Sequence, residues 1–167
     1  AFDADPLQVL MGEEALRETF GSRIQFELAD LREHAWAYGR GGQFALAGSA
    51  LALHWMSRES LRHFYTVLAG ALSPKGVFAN SDHITSEGGW GSGLLSRVST
   101  APATVRSCFP WSRYWAELKR ELGIDYLCEQ MTADLAVYEG LEQGQSFRVH
   151  HFALRNAGFR SVRELWR

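Results

Sequence analysis

Apolar positions along the first 80 residues switch repeatedly between short strand-like runs and a helical rhythm. Ala1-Phe2-Asp3 reads as the last step of a strand. Asp5 then suits a helix N-cap and Pro6 the first helical position. Leu7, Leu10 and Met11 follow on one helical face, extended by Ala15, and Gly21 stops the helix after Phe20. Residues Arg23 to Leu28 alternate as a strand and finish at Ala29-Asp30-Leu31. The polar stretch Arg32 to Gln43 predicts a short helix and a turn. Phe44-Ala45-Leu46-Ala47-Gly48 is continuously apolar, the pattern of a strand buried on both faces.

Ser57 is placed to cap the clearest helix of the chain. Its apolar stripe is Leu61, Phe64, Tyr65, Leu68 and Leu72, spaced 3, 4, 7 and 11 from the first. Ser73-Pro74-Lys75-Gly76 breaks that helix, and Val77-Phe78-Ala79-Asn80 predicts a strand ending near Asp82-His83. From about Thr85 to Met131 the rhythm changes. A Gly/Ser-rich loop leads into a helix capped by Ser112, with Trp115, Leu118, Lys119 and Leu122 at helical spacing and Gly123 beyond. The alternating order returns with a helix around Gln145 to Asn156, a stop at Gly158 and a strand at Ser161 to Trp166. Strand and helix recurring at this spacing predict a parallel α/β sheet in one domain, with about 85–131 inserted.

Composition changes this picture little. The 167 residues suffice for a single core. With 17 basic and 19 acidic residues the net charge is −2, which gives no reason to expect nucleic acid or an anionic membrane as partner. No apolar run nears the roughly 18 to 20 residues that span a bilayer. The chain does not begin with Met and shows no basic-then-apolar signal segment, so the expectation is an excised, processed or partial sequence. Cys108 and Cys128 lack a CxxC pattern and read as reduced thiols, which points to a cytoplasmic setting.

Five blocks carry a family resemblance. Phe2-Asp3-Ala4-Asp5-Pro6 looks like the acidic end of a second strand, and Phe26-Glu27-Leu28-Ala29-Asp30-Leu31 like the end of a third. Phe44 to Trp55, including Ser49-Ala50-Leu51-Ala52-Leu53-His54-Trp55, looks like a fourth strand and its loop. Leu72-Ser73-Pro74-Lys75-Gly76 resembles the turn before a fifth, and Leu154-Arg155-Asn156-Ala157-Gly158-Phe159 a late helix-to-strand turn. In this order the chain resembles the class I, Rossmann-like S-adenosylmethionine-dependent methyltransferases of the small-molecule branch. The resemblance implies a Rossmann-like, mostly parallel sheet with flanking helices and a helical insertion after the fifth strand. It also implies a first strand, with its glycine-rich loop, between strands two and four. Neither that strand nor a closing last strand is in this sequence, so a missing N-terminal segment or a partner chain is expected to supply the first. Glu87-Gly88-Gly89-Trp90-Gly91-Ser92-Gly93 mimics the glycine-rich loop, but no strand leads directly into it. It reads as a lid or hinge.

For the site, an acid at the end of a parallel strand is where nucleotide-binding sheets hold a ribose. Asp3, with Ala4 beside it, is the candidate; the alternative is a capping role, which Asp5 already fills. The resemblance implies that Asp30 accepts from the adenine amino group while Leu31 brackets the ring; the alternative is an ordinary cap. Ser49 and Ala50 would line the cofactor pocket. His54 and His83 each suit a general base, since imidazole titrates near neutral pH, or else are structural. His150-His151 reads as helix surface and core edge rather than a metal site. Trp55, Trp90, Trp111, Tyr114 and Trp115 would enclose an acceptor, and the inserted aromatics equally suit a satellite core. The implied reaction is methyl transfer to a small-molecule acceptor. Two rivals remain: a non-catalytic or split methyltransferase-like subunit, and a nicotinamide oxidoreductase, which lacks its upstream fingerprint here.

Overall fold

The computed structural model describes residues 1–82, 84, 117–124 and 144–165, in two compact units. One unit contains 1–28 and 117–124, the other 29–82, 84 and 144–165. His83, the glycine-rich 87–93 loop, Trp90, Cys108, Phe109, Trp111, Ser112, Tyr114, Trp115 and Cys128 lie outside the described residues. Among the described residues no helix is long and apolar enough to cross a membrane.

The first unit is a β-α-β segment. Strand β1 (Phe2–Asp3) pairs in parallel with β2 (Glu27–Leu28), and α1 (Pro6–Phe20) connects them. Asp5 caps α1 by accepting from the Leu7 amide at 2.8 Å, and its other oxygen accepts from Lys119 Nζ at 3.1 Å. Leu7 is fully buried against Ile124 and Leu118. Leu10 and Met11, by contrast, are each 44% exposed. Gly12 answers a packing need rather than a turn. A Cβ there would sit 2.4 Å from the Phe26 ring, so the ring lies directly on the helix backbone.

The second unit repeats the plan. Strand β3 (Phe44–Ala50) pairs in parallel with β4 (Leu72–Ser81), joined by α2 (Arg58–Ala71). Ser57 caps α2 through the Ser60 amide at 3.0 Å. The expected stripe is buried: Leu61, Phe64, Tyr65, Leu68 and, at the start of β4, Leu72. Phe64 and Tyr65 set their rings against Phe78 of β4 at 6.3 and 5.8 Å. Helix α3 (Phe147–Asn156) packs on α2 and starts at a Ser146 cap. It ends in a Schellman turn, with Phe159 N–H donating to Leu154 and Gly158 N–H to Arg155, and with Gly158 at φ 99°.

Several expectations change. Only Glu27–Leu28 of the segment Arg23 to Leu28 is strand. Gly21–Arg23 forms a 3-10 turn instead, because the Arg23 guanidinium donates to the Thr19 and Phe20 carbonyls and so finishes α1. The segment after Asp30 holds a single 3-10 turn, Ala35–Ala37, whose Trp36 is buried against Phe64. Strand β3 is not buried on both faces: Leu46 is 66% exposed, as is 57% of Val77 on β4. The helices cover the face carrying Phe78, and the opposite face of the pair is exposed. The Ser73–Gly76 break survives as an irregularity inside β4, where four residues of β4 stand against one of β3, Ala45, between the Phe44↔Leu72 and Leu46↔Val77 pairs. Pro74 therefore sits outside the regular ladder, where its missing N–H costs nothing. Residues 161–165 are not strand; among the described strands none is there to pair with them.

Candidate functional site

The carboxyl ends of β3 and β4 converge on one histidine and one acid. The chain leaves β3 through Leu51, whose φ of 53° is left-handed and unfavourable for leucine by about 1–2 kcal/mol. The Leu51 amide nevertheless donates to the Ser81 carbonyl at 2.9 Å, tying the turn to the end of β4. A 3-10 turn, Leu53–Trp55, then inserts His54 into the interior. Asp82, one residue past β4, receives it: His54 Nδ1 lies 2.6 Å from Asp82 Oδ1, and the His54 amide donates to Oδ2 at 3.0 Å. The Asp82 side chain is fully buried. Both of its oxygens engage the same residue, which fixes the imidazole plane and has Nδ1 donate to the carboxylate. Trp55 stacks at 4.7 Å from the His54 ring and remains 41% exposed.

A second buried pair lies deeper. Tyr65 on α2 and His150 on α3 meet through the phenol oxygen and Nδ1 at 2.6 Å. Burial, and then the Asp82 charge, push the Tyr65 phenol well above its ordinary value, so its O–H donates to Nδ1. Burial pulls His150 below its ordinary value, with Asp82 opposing that shift. His150 Nε2 is buried without a hydrogen-bond partner, as are Ser49 Oγ and Asn80 Oδ1. Ser49 and Asn80 face each other in the β3–β4 register. Leaving such atoms unsatisfied costs about 1–3 kcal/mol each.

The cofactor candidates fall into both units and are described within their own. Asp3 ends β1 and is exposed; its Oδ1 accepts from the Asp5 amide at 2.8 Å. Ala4 is half-buried beside it. In the other unit Asp30 is occupied by Arg32. Its Oδ1 accepts from the Arg32 amide at 2.9 Å, and the guanidinium bridges both oxygens at 2.5 to 3.0 Å. Leu31 is half-buried, and Ala50 is exposed at the end of β3.

The candidates stand differently within their own units. Asp3 offers an exposed carboxylate for a diol, and Ser49 a hydroxyl lacking a partner. Asp30 has its lone pairs filled and would accept from an adenine only after releasing Arg32. Among the described residues no cluster of His, Cys, Asp and Glu is arranged to hold a metal ion.

Sequence reasoning found His54 but not its acid. The signal was present, since Asp82 directly follows an apolar strand. Tyr65 was legible as core and His150 as helix; their hydrogen bond, 85 residues apart in sequence, was not. The Arg32 grip on Asp30 was visible in principle as an Asp-x-Arg turn. No family model and no curated protein matches this chain.

Proposed function

We propose that the chain is part of a Rossmann-like, S-adenosylmethionine-dependent methyltransferase acting on a small organic acceptor. The observation that carries the reading is the strand pairing. The four described strands form two parallel pairs, β1–β2 and β3–β4, each around one helix, and no described strand joins β1 to β3. A parallel β-α-β segment of this kind is the unit from which a Rossmann-like sheet is built. Supporting it, an acid or acid–imidazole pair follows the carboxyl end of each pair, where open α/β sheets bind ligands.

The donor supplies a methyl carbon already activated by a sulfonium. Asp3 binds the ribose hydroxyls, and Ser49 with Ala50 lines the rim of β3. Trp55, with aromatics of the inserted region, shields the acceptor from water. His54, held by Asp82, takes a proton at Nε2 when the acceptor must lose one. The protein's main contribution is alignment of the two reactants. A cytoplasmic setting with reduced Cys108 and Cys128 belongs to the same reading.

A second reading is favoured by the same strands. Each described sheet holds two strands, fewer than an independent sheet needs, which suits a non-catalytic or split subunit completed by a partner chain or an N-terminal segment. Calorimetry with S-adenosylmethionine separates the two. Micromolar binding by the isolated chain, weakened at least tenfold by Asp3→Ala, supports a self-sufficient site. Binding that appears only when a strand-bearing polypeptide is added supports the split subunit. No binding under either condition removes the methyl-donor reading.

A further inference from the structure

Among the described residues Leu51 is the one non-glycine residue with a left-handed backbone. Its side chain returns little packing to offset that cost, being 60% exposed. The backbone is nevertheless held, because the Leu51 amide bond to the Ser81 carbonyl extends the β3–β4 pairing one step past Ala50↔Ser81. A strained residue fixed this firmly, with an apolar side chain in the open, points to a use for that side chain. Its surroundings follow from contacts already described. Ser81 precedes Asp82, Asp82 holds His54, and Trp55 lies against the His54 ring. Leu53 and Met56 of the same turn are buried, so Leu51 and Trp55 are its large exposed apolar side chains. Residues 49–56 and 78–82 include no Lys or Arg, and their one acid is Asp82.

We propose that Leu51 is a specificity-determining residue, displayed by its strained backbone at the carboxyl rim of β3 and β4 to hold, with Trp55, the apolar face of an uncharged acceptor. The inference rests on reading this rim as the acceptor side of the proposed site. It narrows the acceptor from any small organic molecule to one that is uncharged and presents a planar apolar face. Trp55 offers such a face a flat surface, and Leu51 an aliphatic one. Glycine at position 51 would relieve the backbone but leave no side chain, and asparagine would relieve it but present an amide. An anionic acceptor would find no cation in these two segments, only the Asp82 carboxylate beneath them. Leu46 supplies the contrast. It is as exposed, at 66%, but sits in the regular part of β3, paired with Val77 on the open face of the strand pair.

Calorimetry of the full chain with 2-naphthol, a neutral planar probe, and with 2-naphthoate, its anionic counterpart, tests this. No methyl donor is added, so the result is read separately from the donor-binding test of the proposed function. The unaltered chain should bind 2-naphthol at least tenfold more tightly than 2-naphthoate. Leu51→Asn should weaken 2-naphthol about tenfold, the worth of one aliphatic side chain against the probe. The same variant should raise the urea midpoint by about 0.5 M, because asparagine tolerates the left-handed backbone. Leu51→Met, which stays apolar, and Leu46→Asn, away from the rim, should each leave 2-naphthol affinity within about twofold. A Leu51→Asn chain that binds 2-naphthol as tightly as the unaltered one, or whose urea midpoint does not rise, overturns the proposal. So does an unaltered chain that binds no 2-naphthol or prefers 2-naphthoate, or an equal loss of affinity in Leu46→Asn.

Discussion

The two β-α-β segments share a plan and differ in what they bury. Helix α1 sinks Leu7 and leaves Leu10 and Met11 half in water, whereas α2 sinks Leu61, Phe64, Tyr65 and Leu68 along one stripe. The acids follow suit. Asp3 stands exposed at the end of β1, while Asp82 is fully buried beyond β4. An exposed carboxylate is suited to gripping a polar ligand that arrives from solvent. A buried one needs a permanent partner, and His54 provides it. Depth of packing, more than strand order, separates a surface for binding from an interior able to handle protons.

The largest contrast should appear in stability. Leu61→Ala removes a fully buried side chain from α2 and should cost about 3 kcal/mol, whereas Leu10→Ala on α1 should cost about 0.5 kcal/mol. Urea unfolding of both variants measures the difference; equal losses would erase the distinction between the two helices. Next comes the buried acid. Asp82→Asn keeps the shape but removes the charge, and should lower stability by about 2 kcal/mol. On the proposed methyl-transfer reading, with an acceptor that must lose a proton, it should also lower the rate at least a hundredfold. Asp3→Asn, on the exposed side, should leave stability within about 0.5 kcal/mol and act on donor affinity instead.

The pH dependence should belong to the second unit. His150 is held below its ordinary value, so the unfolded chain binds more protons than the folded one as pH falls below the ordinary value of 6.5. Stability from this residue is therefore intact above pH 6.5 and lost on acidification. Tyr65 acts at the other end. Its raised value means its contribution is present below pH 10.0 and declines as pH rises beyond it. Thermal melts of His150→Gln should lose the acid arm of this profile while keeping the alkaline arm. The smallest effect has opposite signs in the two helices. Gly12→Ala pushes the Phe26 ring off α1 and should cost about 1 kcal/mol, whereas Gly70→Ala on α2 meets open space and should gain about 0.5 kcal/mol.

Local chemistry was the legible part of this chain. The Asp5 and Ser57 caps, the Gly21 and Gly158 stops and the α2 stripe depend on hydrogen bonds and contacts spanning a few residues, so composition at fixed offsets specifies them. The strands were less legible. The period of β3 said apolar, but only packing decides how many faces are covered, and Leu46 remains exposed. Arg23 has the spacing of a strand residue, yet its guanidinium closes α1.

What the sequence determined by itself was therefore α1 and α2 with their caps and the Gly158 stop of α3, and the two acids Asp3 and Asp30 as carboxyl-end candidates. Tertiary structure alone decided that His54 would meet Asp82 across 28 residues, that Tyr65 would meet His150 across 85, and that Arg32 would fold back over Asp30. The physical reason is that a buried polar pair depends on strand register and helix docking, which sum over many weak contacts, while a cap depends on one turn of backbone.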